Sequence, residues 1–302
     1  MLLDRLLGAL EVEVAPFAVC DVRRGWSVDM PPDGHVALHF IVSGEGTLST
    51  SGAANHPFGE GSVILVPPGH AHRIELPHAT DHVLDAAADC SVPEHGLKRV
   101  VAGEGSPGVL MVCGAVRATY AGTFGLFDEM NAPLVIDAGD EPMLRHVFEG
   151  LLAEQARLRP GSAAMMRALM TQGLVLLLRR MCDGGDCRVP WLAVVGDAQL
   201  SAALTAILDN PAEPHTVESL AKLAAMSRSS FSDRFSRAFG RPAIDLLREV
   251  RLRRGAQLLR STDLPVQTVA EKVGFASRSH FSRSFAAMYG TDPSGYRNLP
   301  PL

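Results

Sequence analysis

Two hydrophobic periods divide this chain. Over residues 15–120, apolar and polar positions alternate in short runs broken by Gly, Pro and Asp, as in the half-buried strands of a sandwich or barrel. His35 to Thr50 (HVALHFIVSGEGTLST) predicts two strands around a Gly-rich turn. Gly61 to Leu76 (GSVILVPPGHAHRIEL) predicts an apolar strand, a Pro-Pro-Gly corner and a second strand, and Val109 to Ala118 (VLMVCGAVRA) another buried strand. The period then becomes helical. Pro142 to Leu158 opens with Pro at a helix start and aligns Leu144, Val147, Leu151 and Leu152. Gly161 to Met181 is apolar around more of its circumference, through Leu169, Leu174, Leu176, Leu177 and Leu178. Such a helix has to be covered, and a second copy of the chain is the expected cover, with the barrel's open end as the alternative.

The last hundred residues carry one helix-turn-helix pattern twice, Thr216 to Gly240 and Val266 to Gly290. Ala221 and Met226 match Ala270 and Phe275 at an offset of 49. Phe231, Phe235 and Gly240 match Phe281, Phe285 and Gly290 at an offset of 50. The change falls in the turn, where an extra residue disturbs neither helix. Val217, Leu220, Ala221 and Ala224 form the stripe of the first short helix; Val269, Ala270 and Val273 form that of the second copy. Ser227 and Ser277 stand where an N-cap is required. The second helix of the first copy buries Phe231, Phe235 and Phe239 and turns Ser229, Ser232, Asp233 and Arg237 outward. In the second copy Phe281 and Phe285 are the anchors, and Arg278, Ser279, His280, Ser282 and Arg283 face out. Arg can fork onto guanine; Ser and His can meet base edges or phosphates. Between the copies, Ile244 to Leu259 predicts one amphipathic helix with Arg248, Arg251, Arg253 and Arg254 outside.

This arrangement resembles the AraC/XylS family of bacterial transcription regulators, whose signature is close to GFASRSHFSRSFAAMYGTDPSGYR (Gly274 to Arg297) and runs on to Pro293 and Tyr296. The resemblance implies two recognition helices in successive major-groove segments of duplex DNA. By position it assigns Ser229, Ser232 and Asp233 to one and Ser279, His280 and Arg283 to the other; Arg237 and Arg278, on the same outward faces, complete the expected DNA-binding set. Asp233 stands where the family often has Arg. Charge agrees: from Leu200 onward there are 14 Lys+Arg and 9 Asp+Glu, leaving 14 basic and 24 acidic residues of the chain's 28 and 33 for the remainder. A basic module is thus attached to an acidic one, and a phosphate backbone attracts only the first.

The strand-rich half resembles the cupin fold. The motif G(X)5PXG(X)2H is met at Gly61, Pro67, Gly69 and His72; its final Asn falls at Leu76. In cupins that His commonly binds a metal. The usual first motif is missing, because no Glu lies between Asp33 and Glu45. His35, Ala37 and His39 share one strand face, which makes His39 the inward imidazole, with His70 as its rival. An enzymatic cupin keeps three or four ligands and an open metal position, so the loss argues for sensing over catalysis. Cys20 (VCDVRRGWSV) and Cys113 (VLMVCGAVR) resemble a cysteine pair in a cupin-bearing AraC subgroup that includes a reactive-chlorine-responsive regulator. Joined to His39 and His72 they would form a Cys2His2 set, for which zinc is the expected metal, and the two thiols would be the redox-sensing groups. The plainer reading is that Cys113 is a small buried hydrophobe and that His70 and His72 are polar residues at a strand mouth. His56, His78, His82 and His95 read as solvated, and Cys90, Cys182 and Cys187 as thiols outside the site.

These patterns predict an α+β multidomain chain: a cupin-like β-barrel over 1–140, a helical dimerisation segment over 141–182, a linker over 183–199 and an all-α tandem helix-turn-helix domain over 200–302. No apolar run of about 18 residues is present to span a bilayer. MLLDRLLGALEVEVAPF lacks a basic leader. Five cysteines in 302 residues make no disulfide scaffold, so the cytoplasm is expected. The expected partners are operator DNA and a second copy of the chain, with RNA polymerase as a further candidate. The function expected is a regulator, not an enzyme. The alternatives are a metal-dependent cupin enzyme fused to a DNA module, or a sensor of a small effector without metal.

Overall fold

The computed structural model describes residues 7, 10–50, 55–77, 82–86, 97–120, 124–127, 130–182 and 197–298. Cys90, Cys187, His78, His95 and most of the expected linker lie outside them. One compact unit holds Val12–Ala118 and Leu126–Asp183; the other contains the C-terminal helices.

The strand-rich N-terminal part is built on β1 (Leu10–Val14), β2 (Ala18–Arg23), β3 (Trp26–Met30), β4 (Val36–Ser43), β5 (Gly46–Thr50), β6 (His56–Phe58) and β7 (Ser62–Val66). It continues with β8 (His72–Glu75), β9 (His82–Asp85), β10 (Lys98–Ala102), β11 (Pro107–Tyr120), β12 (Phe124–Gly125) and β13 (Leu134–Asp137). One sheet runs β10–β2–β11–β4–β7–β13, with β1 and β12 also on β11; the other runs β6–β5–β8–β3–β9. Val22, Ile41 and Met111 of the first sheet pack against Val28, Leu48 and Ile74 of the second in one core. The β4–β5 turn needs its glycine. Gly44 has φ +92°, and a Cβ there would stand 2.2 Å from the Gly108 carbonyl oxygen.

Two helices cover the outer face of the first sheet, α1 (Pro142–Ala156) and α2 (Ser162–Cys182). β4 is therefore buried on both faces: His39 points into the core, while Phe40 stacks on Phe148 of α1 at 4.5 Å between ring centroids. The helices approach closely at Gly150 and Gly173, where an added Cβ would meet Leu169 and Val147 at 3.2 and 3.1 Å. The wide apolar surface of α2 is mostly consumed within the chain, since Leu174, Leu177 and Leu178 are buried. Leu169 and Leu176 are half-buried and Met165 is exposed, so a narrower stripe than the sequence suggested is left for another molecule.

The second unit contains α3 (Ala198–Asp209), α4 (Val217–Leu223), α5 (Arg228–Phe239), α6 (Ala243–Ser261), α7 (Val266–Lys272), α8 (Arg278–Tyr289) and α9 (Pro293–Arg297). Both helix-turn-helix copies form as their periodicity requires. Ser227 caps α5 by accepting from the Ser230 amide at 3.2 Å, and Ser277 caps α8 by accepting from the His280 amide at 3.2 Å. Gly240 and Gly290 end the same helices at φ 65° and 70°. Both turns contain a left-handed residue, Ala225 at φ 50° in the first and Gly274 at φ 86° in the second. Among the described residues no helix is long and apolar enough to cross a membrane.

Candidate nucleic-acid interface and barrel interior

On α5 the aromatic side holds the helix down. Phe231, Phe235 and Phe239 are fully buried, with Phe235 and Phe239 stacked at 4.4 Å, so the opposite side faces out. Ser229, Ser232, Asp233 and Arg237 are all exposed there. On α8, Phe281 and Phe285 are fully buried, and Arg278, Ser279, His280 and Arg283 are exposed. All eight residues assigned to DNA thus occupy the free faces of the two second helices.

The linking helix differs from expectation. Arg248 and Arg254 are exposed, but Arg251 and Arg253 are not outside. Arg251 donates to the Pro211 and Glu213 carbonyls at 2.6 and 2.7 Å, and Arg253 donates to Glu249 at 2.8 and 2.5 Å. Helical spacing placed both arginines on an outer face; the chain folds back over Arg251, which braces it, and Arg253 is held by Glu249 one turn earlier on the same helix.

In the barrel, strand register brings the expected sensor residues onto one interior. Cys113 on β11 stands between Ala18 of β2 and His39 of β4. Cys20, two residues beyond Ala18, is diagonal to it on the same sheet face, and the two thiols hydrogen-bond. His72 enters from the other sheet and meets His39 with 2.7 Å between their Nε2 atoms. His72 Nδ1 donates to the His70 carbonyl at 3.4 Å, which makes its Nε2 the acceptor and His39 Nε2–H the donor. His39 Nδ1 is then a buried acceptor without a partner. His70 itself is exposed, its ring bonded to the Pro68 carbonyl, so it contributes a carbonyl and not an imidazole. His35 is also exposed, paired with Asp33.

Both imidazoles are neutral near pH 7. Burial and the adjacent His72 hold His39 well below its ordinary value, and burial brings His72 down to about 4 against the opposing bond to His70. The Cys20 thiol is shifted the other way in charge. The Cys113 hydrogen bond, aided by Lys98, lowers its pKa against the effect of burial, which favours the thiolate that attacks oxidants. Both cysteines are reduced and buried. The donor types suit zinc, and all four share one interior. They stand as two pairs, however: among the described residues no three His, Cys, Asp or Glu side chains converge on one point as a cage requires. Beside His72 lies a cavity of about 570 Å³, walled by Met30, Thr50, Asp29, Arg73 and Glu75.

Sequence reasoning missed Gln155. This buried α1 side chain accepts from the Phe17 amide at 2.6 Å and donates to the Phe17 carbonyl at 2.5 Å. The Phe17 ring lies where a Cβ on Gly114, next to Cys113, would have to stand. The signal was available as a polar residue four places beyond Leu151 on an otherwise apolar stripe.

A model described as a helix-turn-helix domain matches residues 220–299, and one described as Cupin matches residues 2–183. A putative AraC-like transcription regulator of Streptomyces antibioticus is 31% identical over 220 residues, covering 72% of this chain and 71% of its own length. The chain belongs to the AraC-like transcription regulators. Its N-terminal part is a cupin domain. The RCS-specific transcriptional activator RclR of Escherichia coli is 28% identical to this AraC-like chain over 265 residues, covering 87% of it and 84% of the relative. The DNA-binding domain of AdpA, solved with a target DNA, is 31% identical over 33% of this chain and 89% of its own, at a TM-score of 0.32. Relatives of this breadth are named as regulators, which sets aside the reading as a cupin enzyme.

Proposed function

We propose that this AraC-like regulator is a cytoplasmic oxidant sensor that grips operator DNA with Ser229, Ser232, Asp233 and Arg237 of one helix and Arg278, Ser279, His280 and Arg283 of the other. The observation that carries the sensing is the buried Cys20–Cys113 contact, with a lowered Cys20 pKa, beside the His39–His72 pair. An oxidant such as hypochlorous acid would take two electrons from the two thiols, leaving as chloride and water. Cys20 and Cys113 would then end joined as a disulfide; a single thiol oxidised alone would instead keep the oxidant's oxygen as a sulfenic acid, with only chloride leaving. Zinc is the metal this donor set would take, and when bound it would tie the two sheets together and hold the thiols as thiolates. His39, with a buried nitrogen lacking a partner, has most to gain from it.

The test is zinc content and DNA binding before and after hypochlorous acid, in the wild type and in Cys20→Ser and His72→Ala. One zinc per chain is expected, released by oxidant and diminished in both variants. Protein purified without metal, or with zinc indifferent to both substitutions, sinks the metal. DNA binding that ignores oxidant sinks the sensing.

The cavity beside His72 supports a second reading, a small polar effector bound without metal. A response that persists in Cys20→Ser/Cys113→Ser protein would favour it. The stripe left on α2, with Met165 exposed and Leu169 and Leu176 half-covered, supports a homodimer. A monomer in sedimentation of the full chain at high micromolar concentration would end that part. RNA polymerase is the further partner such a regulator would meet at a promoter.

A further inference from the structure

The two outward helices are unequal in charge. Every arginine of α5 has a carboxylate partner: Arg228 with Glu218 at 3.0 Å, Arg234 with Asp197, and Arg237 with Asp233 at 2.6 Å. The sequence of α8 contains no Asp or Glu, and among the described residues Arg278 and Arg283 make no ion pair. The first motif therefore presents offset charge, the second free charge. Counterion release from phosphates belongs to the second. What, then, does the first helix bring to DNA?

Asp233 and Arg237 are exposed, with 67% and 74% of their side-chain surface open. An ion pair in that setting adds little to folding. Its place is informative instead. Ser229, Asp233 and Arg237 lie four residues apart, on one line of the free face. Arg237 donates to Asp233 Oδ2, and Oδ1 accepts no hydrogen bond among the described residues. A carboxylate is repelled by phosphate, so in a major groove it is welcome only against a base that offers an amine. Arg237, one turn on, carries the opposite demand, two acceptors side by side. A C·G pair shows both features in the groove: the cytosine N4 amine donates, and guanine O6 and N7 accept. A T·A pair offers the fork only one acceptor, beside a methyl group, across from the adenine amine.

We propose that Asp233 and Arg237 act together as a C·G reader, Asp233 Oδ1 accepting from cytosine N4 and Arg237 forking onto the guanine of that pair or its neighbour, while α8 anchors the complex through Arg278 and Arg283. The assignment rests on the reading of this chain as a sequence-specific DNA binder. It makes Asp233 a specificity residue of the first motif.

The experiment is selection from a randomised duplex library with full-length protein, wild type beside Asp233→Ala, Asp233→Asn and Arg283→Ala. Both side chains are exposed, so each of the three variants keeps the fold. The wild type should select two half-sites, with a fixed C·G pair in one. Asp233→Ala should lose about ten-fold discrimination at that pair and at no other. Asp233→Asn should turn the preference there towards A·T, because an amide pairs with adenine N6 and N7. Arg283→Ala should leave that pair fixed and weaken the other half-site. Two results overturn the proposal while sparing the reading beneath it: identical sites for wild type and Asp233→Ala, or Asp233→Ala binding selected and random duplexes more tightly by the same factor, which would make the carboxylate mere repulsion. A wild type that selects no sequence overturns both.

Discussion

Phe281→Ala is expected to melt the second helix-turn-helix, at a cost of about 3–5 kcal/mol. Phe281 has no exposed surface, and its ring lies 5.3 Å from that of Phe275 and 5.4 Å from that of Phe285. Gly255 of the linking helix gives up its Cβ space to the same ring, since an added carbon would lie 2.9 Å from it. Truncation leaves a cavity bounded by three helices, which close packing prevents from collapsing. A single unit has a total stability of about 5–15 kcal/mol, so much of that margin would be lost, and DNA binding with it. Urea unfolding followed by circular dichroism, alongside gel shift, measures both. Lost DNA binding with an unchanged melt would show that Phe281 acts at the DNA surface and not in the core.

Gln155→Leu is expected to cost the barrel about 2–6 kcal/mol, although leucine matches the apolar stripe of α1. The amide satisfies both backbone groups of Phe17, 138 residues away, and leucine would leave a buried N–H and a buried carbonyl unpaired. Each orphaned group costs about 1–3 kcal/mol. Phe17 lies three residues before Cys20 and packs where Gly114 has no side chain, next to Cys113. Loosening this corner should therefore quicken thiol labelling at Cys20 and Cys113, read by peptide mass spectrometry, beyond any change at the exposed surface. A variant as stable as wild type would show that water replaces both bonds and that Gln155 is dispensable.

The DNA-binding half was legible because its determinants are local. Phenylalanines four residues apart, a serine before each second helix and a glycine after it dictate the helices, their ends and their buried sides within about 25 residues. In the barrel, the two-residue period was enough to turn His39 inward, and the motif through Pro67 and Gly69 was enough to place His72 at the start of β8.

Period says which face a residue shares; it does not say what stands opposite. The meeting of His39 with His72 depends on how two sheets close on each other. The Cys20–Cys113 contact depends on the register of β2 against β11, strands about ninety residues apart. The same gap explains what period left open. Arg251 had the spacing of a surface residue, yet Pro211 and Glu213 were brought over it, while Arg253 is held by Glu249 one turn earlier on its own helix. The leucines of α2 had the breadth to pack on the barrel or on a second copy; α1 and the sheet beneath take up most of it, and the stripe that remains is what a homodimer would use. Repeating local patterns determined the elements, their faces and the family; packing between distant segments decided which polar groups on those faces found partners and which remained free to act.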